Sequence, residues 1–157
     1  MAGKTAELDR KVPEFSLPSS SGKPWKLADA AGRKVVVYFY PKDNTSGCTR
    51  ESVEFRDLHD AFRKAKAVVV GVSPDSVASH CRFADKHQFP FELLSDEEKK
   101  LCQLFGVWKE KSLYGRKYMG VERSTFLIDA AGVLRREWRK VKVDGHAEEV
   151  LAAARAL

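Results

Sequence analysis

The sequence predicts an α/β fold in which helices flank a mixed central β-sheet. Three observations lead there. Lys34-Val-Val-Val-Tyr-Phe-Tyr40 is an unbroken apolar run, β-branched and aromatic and stopped by Pro41, as in a strand buried on both faces. Beyond it Phe55, Leu58, Phe62 and Ala65 recur at helical spacing. Further along, strand and helix patterns alternate until two strands follow each other across the short Ala130-Ala131-Gly132 turn.

In chain order, Glu14-Phe-Ser-Leu17 between Pro13 and Pro18, then Ser19 to Pro24 and Trp25-Lys-Leu27, read as a short N-terminal hairpin on a sheet edge. Lys34 to Tyr40 is a strand, Thr45 to Lys66 a helix, Ala67 to Val72 a strand and Pro74 to Gln88 a helix. Phe91 to Leu94 is a short strand and Asp96 to Phe105 a helix. Trp108 to Val121 is expected to be irregular, covering one side of a site or facing a partner. Ser124 to Asp129 and Val133 to Trp138 form an antiparallel hairpin, and a last helix starts near Asp144-Gly145. This order describes a thioredoxin-like α/β sandwich occupying residues 1–157 as one domain.

At 157 residues with 43% apolar content the chain can bury a core of its own. No apolar stretch suits a signal peptide or a membrane span, so a cytoplasmic protein is expected, with no membrane partner. Three cysteines without an export signal argue for reduced thiols rather than a disulfide framework. The net charge of +6 invites a nucleic-acid reading. Its densest basic stretch, Arg135, Arg136, Arg139, Lys140 and Lys142, is interleaved with Trp138, Val141 and Val143, as on the solvated side of a strand. No nucleic-acid-binding motif accompanies it.

Chemistry concentrates at Cys48. The switch from strand to helix places it in the first helical turn, among unpaired N–H groups and at the positive end of the helix dipole, and both favour the thiolate. The C-terminal end of a parallel strand is also where ligands of such sheets sit. The plainer alternative is a buried helix cysteine, since Cys48 and Phe55 share a face. His59, His80, His87 and His146 show no metal-ligand spacing with one another or with a cysteine.

Pro41, Thr45 and Cys48 stand in the spacing Pro-x-x-x-Thr-x-x-Cys, which resembles the active-site signature of the peroxiredoxins. Tyr38-Phe-Tyr-Pro-Lys-Asp43, Gly71-Val-Ser73 and Glu122-Arg-Ser-Thr-Phe-Leu-Ile-Asp129 are similar to the Q-type branch, the bacterioferritin comigratory proteins. The likeness runs from about Val12 to the C-terminus. It implies a thiol peroxidase in which Cys48 attacks hydrogen peroxide or an organic hydroperoxide, with no metal, haem or flavin cofactor. It also implies that Arg123 contacts sulfur and peroxide, and that Pro41 shields the sulfur. Growing negative charge on the departing oxygen would be met by Arg123, the N–H groups of Gly47 and Cys48, and the Thr45 hydroxyl, which is also expected to cap the helix. Glu51 could pair with an arginine, or could be an ordinary first-turn glutamate. Ser46 departs from the proline usual in the family.

The attack leaves a sulfenic acid that a second thiol must resolve. Many Q-type enzymes carry that thiol five residues on, where this chain has Val53. A second arrangement places it on the next helix, at the position of Ala84 here, with Cys81 one turn earlier on the same face. Cys81 is therefore the candidate resolving cysteine, and bridging it to Cys48 requires local unfolding. Otherwise Val77, Cys81 and Ala84 form a buried stripe. Cys102 reads as a small core residue, with a resolving role as its lesser alternative. A one-cysteine cycle with an external thiol and a non-catalytic redox sensor or holdase-like module remain as alternatives. The resemblance further implies a monomer recycled by thioredoxin or a similar thiol donor.

Overall fold

The computed structural model describes residues 5–157. Chain order gives β1 (Ser16–Leu17), β2 (Trp25–Lys26), a 3-10 turn (Leu27–Ala30), β3 (Lys34–Phe39), α1 (Ser46–Asp57), α2 (His59–Lys64), β4 (Ala67–Ser73) and α3 (Val77–His87). Then come β5 (Glu92–Ser95), α4 (Lys100–Leu104), β6 (Trp108–Leu113), β7 (Arg116–Val121), β8 (Ser124–Ile128), β9 (Leu134–Trp138) and α5 (His146–Arg155). The central sheet has the order β5-β4-β3-β8-β9. β3 runs parallel to β4, and β4 to β5, while β8 is antiparallel to both β3 and β9. The sheet is thus mixed, and the fold is the expected thioredoxin-like sandwich.

Being central, β3 buries both faces, which is why its sequence is continuously apolar. Val35, Val37 and Phe39 enter one core layer with Phe105 and Phe126. Val36, Tyr38 and Tyr40 enter the other, with Phe55 and Phe62 from the helices. The N-terminal hairpin is present, and the chain after β1 pairs with the edge strand β5 through Ser20 N–H to Leu93 C=O and Ser95 N–H to Pro18 C=O.

Several expected boundaries shift. The helix foreseen over Thr45 to Lys66 is divided at Leu58, whose backbone (φ −99°, ψ 7°) leaves the helical basin for one residue. The helix foreseen from Pro74 begins at Val77, where the Ser76 hydroxyl accepts from Ser79 N–H as N-cap. The helix foreseen from Asp96 begins at Lys100, because Lys99 takes a left-handed conformation (φ 59°) and the Asp96 carboxylate accepts from the N–H groups of Leu101 and Cys102.

The largest correction concerns Trp108 to Val121. This stretch is a regular antiparallel hairpin, β6 against β7, with Lys111 opposite Tyr118. Its two-residue turn is Tyr114-Gly115, both at positive φ (52° and 77°), the conformation that suits the twist of a tight hairpin. Two members of the basic stretch near β9 are answered locally: Arg135 pairs with Asp9 and Asp129, and Arg139 with Glu122 and Glu137. Arg139 also donates to the carbonyls of Phe105 and Gly106.

Candidate active site

β3 ends at Phe39, and the loop from Tyr40 to Thr45 delivers the chain to the start of α1. The first helical hydrogen bond there is Thr49 N–H to Thr45 C=O at 2.8 Å, so the N–H groups of Gly47 and Cys48 precede the helical ladder. Cys48 is 1% exposed, and its sulfur lies at this N-terminus.

Arg123, between β7 and β8, reaches across to it. Its Nη2 donates to Cys48 Sγ at 3.2 Å, and its Nη1 donates to Glu51 Oε1 at 2.6 Å. One planar guanidinium therefore joins two α1 side chains that lie on the same helical face at i and i+3. Burial opposes the arginine's charge, but Glu51 and Cys48 outweigh it and hold its pKa above the ordinary value. Burial dominates at Glu51, whose pKa is raised to about 7 although Arg123 pulls it down. The second carboxylate oxygen, Oε2, is buried without a hydrogen-bond partner among the described residues, which disfavours the ionised form. The ambiguous sequence reading of Glu51 is thereby settled as an arginine partner.

The hairpin adds a cation that the sequence reading missed. A Cβ built on Gly120 would lie 3.3 Å from Lys111 Cδ and 3.4 Å from Tyr118 Cε2, so the bare glycine makes room for the lysine stem. Burial lowers the Lys111 pKa, the Arg123 charge adds to this, and Cys48 and Glu122 oppose it. Lys111 therefore stands among the site's charges.

Similarity to known proteins places the chain in a family. The AhpC/TSA family pattern matches residues 8–137. The chain is a peroxiredoxin of the AhpC/TSA family. It is 52% identical to peroxiredoxin Bcp of Bacillus subtilis over 147 residues, 94% of each chain. With peroxiredoxin Bcp of Escherichia coli K12 it shares 44% over 140 residues, 89% of this chain and 90% of the other. Among solved structures, the bacterioferritin comigratory protein of Xanthomonas campestris, studied for alkyl peroxide reduction, superposes with a TM-score of 0.87. It is 48% identical, with 90% of each chain covered. A PrxQ variant from Xylella fastidiosa superposes with a TM-score of 0.91 at 42% identity over 98% of each chain.

The other residues singled out from the peroxiredoxin sequence are dispersed around this pair. Pro41 is exposed at the start of the loop. Thr45 holds the N-cap position with extended backbone (φ −87°, ψ 156°), but its hydroxyl does not cap the helix; it donates to Lys42 C=O at 3.0 Å. To donate to a peroxide it must turn from that carbonyl. Ser46, in place of the usual proline, is the first residue of α1 and is exposed.

Cys81 does not belong to a buried stripe. It lies on the outer face of α3, exposed, with its thiol 3.4 Å from Ser20 C=O, whereas His80 and Phe83 are the buried residues of that helix. Cys102 is fully buried on α4, and burial, reinforced by Asp96, pushes its thiol far above the ordinary value. All three cysteines are free.

Beneath the loop lies a polar cluster that sequence spacing could not reveal. Asp43 Oδ1 accepts from the Tyr40 hydroxyl at 2.6 Å, and Oδ2 accepts from the Ser79 hydroxyl at 2.8 Å and from His80 Nδ1 at 2.7 Å. The Asp43 N–H donates to Asp75 Oδ2 at 2.8 Å. Asp43, Asp75 and His80 bring their polar atoms within 4.8 Å of one another, but these atoms already have hydrogen-bond partners, making the cluster a network rather than an open ligand set.

Proposed function

We propose that this peroxiredoxin reduces hydrogen peroxide and organic hydroperoxides through Cys48. The thiolate attacks one peroxide oxygen, an S–O bond forms as the O–O bond breaks, and the second oxygen leaves as hydroxide or alkoxide and takes up a proton. The observation that carries the reading is the Arg123 fork, with one nitrogen 3.2 Å from Cys48 Sγ and the other fixed 2.6 Å from Glu51. A donor held in this way meets the charge growing on the departing oxygen without reorganising. The N–H groups of Gly47 and Cys48 act with it, and Pro41 and Thr45 line the approach.

The sulfenic acid on Cys48 is then attacked by a second thiol, an S–S bond forms and water leaves. Cys81 is the candidate within the chain: it is exposed and lies on the helix after α1, while Cys102 is sealed in the core. Because Cys48 is buried and Cys81 faces outward, forming the bond requires α1 and α3 to open locally. Thioredoxin or a similar dithiol would reduce the disulfide, with the protein acting as a cytoplasmic monomer and a single domain, as the family likeness suggests. Among the described residues no helix is long and apolar enough to cross a membrane.

The test is non-reducing peptide mapping and intact mass after one equivalent of hydrogen peroxide, with Cys48→Ser as control. A Cys48–Cys81 disulfide within one chain supports the two-cysteine cycle. A sulfenic acid without a disulfide means a one-cysteine peroxidase using an external thiol. An unreacted Cys48 sinks the peroxidase reading.

A further inference from the structure

Two elements must move before the Cys48 sulfenic acid can meet a second thiol, and one buried side-chain pair joins both. Asp43 is two residues before Thr45, the N-cap of α1. His80 lies on α3, directly before Cys81. Asp43 is 6% exposed and His80 fully buried. His80 Nδ1 meets Asp43 Oδ2 at 2.7 Å and Nε2 meets Leu94 C=O at 2.9 Å, so both ring nitrogens face acceptors. The ring thus bridges the Asp43 carboxyl group and the Leu94 carbonyl, and the pairing is charge-assisted when the ring donates at both nitrogens.

We propose that the Asp43–His80 pair is a latch that sets how fast oxidised Cys48 is released from its pocket to a resolving thiol. This inference rests on the peroxidase reading of Cys48, but not on which thiol resolves it. Asp43 and His80 are positioning residues, remote from the reacting oxygen atoms.

The pair joins the β3–α1 loop to α3 and, through Leu94, to the edge strand β5. Lifting the loop takes Asp43 from His80, and unwinding the first turns of α3 takes His80 from Asp43. Either motion breaks the same bond and leaves a buried charge without its partner, so both are resisted together. The surrounding donors reinforce the lock. Tyr40 and Ser79 donate to the Asp43 carboxylate, and Asp75, itself held by the Ser73 hydroxyl, accepts from the Asp43 N–H. Lys86 reaches Asn44 Oδ1 at 3.4 Å, a second tie between α3 and the loop. Asn44 also sits in the left-handed region (φ 64°), so the loop bends sharply beside its anchor.

Peroxide is small and reaches the closed site, whereas a bulkier thiol needs the open one. Weakening the latch therefore raises the open population while most molecules stay closed and reactive. The experiment uses full-length protein carrying Cys81→Ser, so that an added thiol, 2-nitro-5-thiobenzoate, is the resolving partner. Tyr40→Phe and Ser79→Ala each remove one hydrogen bond from Asp43, and Asp43→Asn removes the charge. Thiol loss on mixing with hydrogen peroxide gives the attack rate, and bleaching of the dye gives the capture rate. Capture should rise about threefold to tenfold in Tyr40→Phe and Ser79→Ala and further in Asp43→Asn, with attack held within about twofold. Unchanged capture in the two single-bond variants, which keep the Asp43–His80 pair and a folded core, would overturn the latch. So would a parallel fall of both rates, the mark of a merely structural role. Absence of any thiol loss at Cys48 in the Cys81→Ser parent would instead remove the peroxidase reading, and the latch with it.

Discussion

The Arg123 guanidinium and the Cys48 sulfur are 3.2 Å apart, although one comes from the β7–β8 connection and the other from the first turn of α1, 75 positions earlier. Glu51 fixes the approach by taking the guanidinium's other nitrogen. A lysine at 123 has a single ammonium on a flexible stem and cannot hold both groups in one plane. Arg123→Lys should therefore keep the charge yet slow peroxide attack by about a hundredfold, the scale of losing one aligned donor. Stopped-flow oxidation of the reduced protein measures this, and a loss under about threefold would show that charge alone suffices.

Gly47 gives a second route to the same fork. A Cβ there would meet Arg123 Nη2 at 3.3 Å and, among the described residues outside its own helical turn, nothing else within 4 Å. Gly47→Ala should leave the fold intact, since alanine also favours the helix, while pushing the guanidinium off the sulfur. The expected result is an unchanged or raised melting temperature with peroxide attack slowed about tenfold. Equal rates would mean that Arg123 shifts without consequence.

Glu51 makes stability depend on pH in a definite sense. Burial raises its folded pKa to about 7 from an ordinary value of 4.5. The folded state therefore holds a proton that the unfolded chain has given up. Its contribution is fully present below 4.5 and is lost as pH rises through about 7. Urea midpoints of wild type minus Glu51→Gln should fall across that window, because glutamine has no charge to bury. A difference that rises with pH would mean that Arg123 dominates instead.

The sequence made β3 and the start of α1 legible, because a doubly buried strand and a helix N-terminus are local patterns, whereas the pairing of Cys48 with Arg123, 75 positions apart, was legible only through the likeness to the peroxiredoxins. The β6–β7 hairpin was not legible. Leu113, Tyr114, Tyr118 and Met119 are exposed, so the strands carry no alternation of buried and solvated residues, and only Tyr114-Gly115 marks the turn. Lys111 went unnoticed with it. The Asp43–His80 pair was equally hidden: its partners are 37 positions apart, and a buried histidine shows no signature until its acceptors are in place.

His146 pulls the pH dependence the other way. Burial lowers its pKa to about 4 from 6.5, and its Nε2 shares a hydrogen bond of 2.7 Å with the Thr125 hydroxyl. The neutral ring contributes stability that is present above 6.5 and lost as pH falls through about 4. The shift corresponds to at most about 3 kcal/mol. His146→Gln, which keeps a partner for Thr125, should flatten the acid side of the stability profile and leave the Glu51 side unchanged. Thermal melts at closely spaced pH values separate the two, and an unaltered acid limb would show that His146 carries no such load.

Lys111 tests whether the hairpin belongs to the site's electrostatics. Its ammonium shares a field with Arg123 and Cys48, so it should attract anions to the sulfur mouth without touching the reacting oxygen. Lys111→Met keeps the apolar stem over Gly120 and removes the charge. Alkylation of Cys48 by iodoacetate, an anion, should slow about threefold relative to iodoacetamide, which is neutral, and the difference should shrink in high salt. If the two reagents slow together, the hairpin acts by covering the site; if neither changes, Lys111 is a bystander.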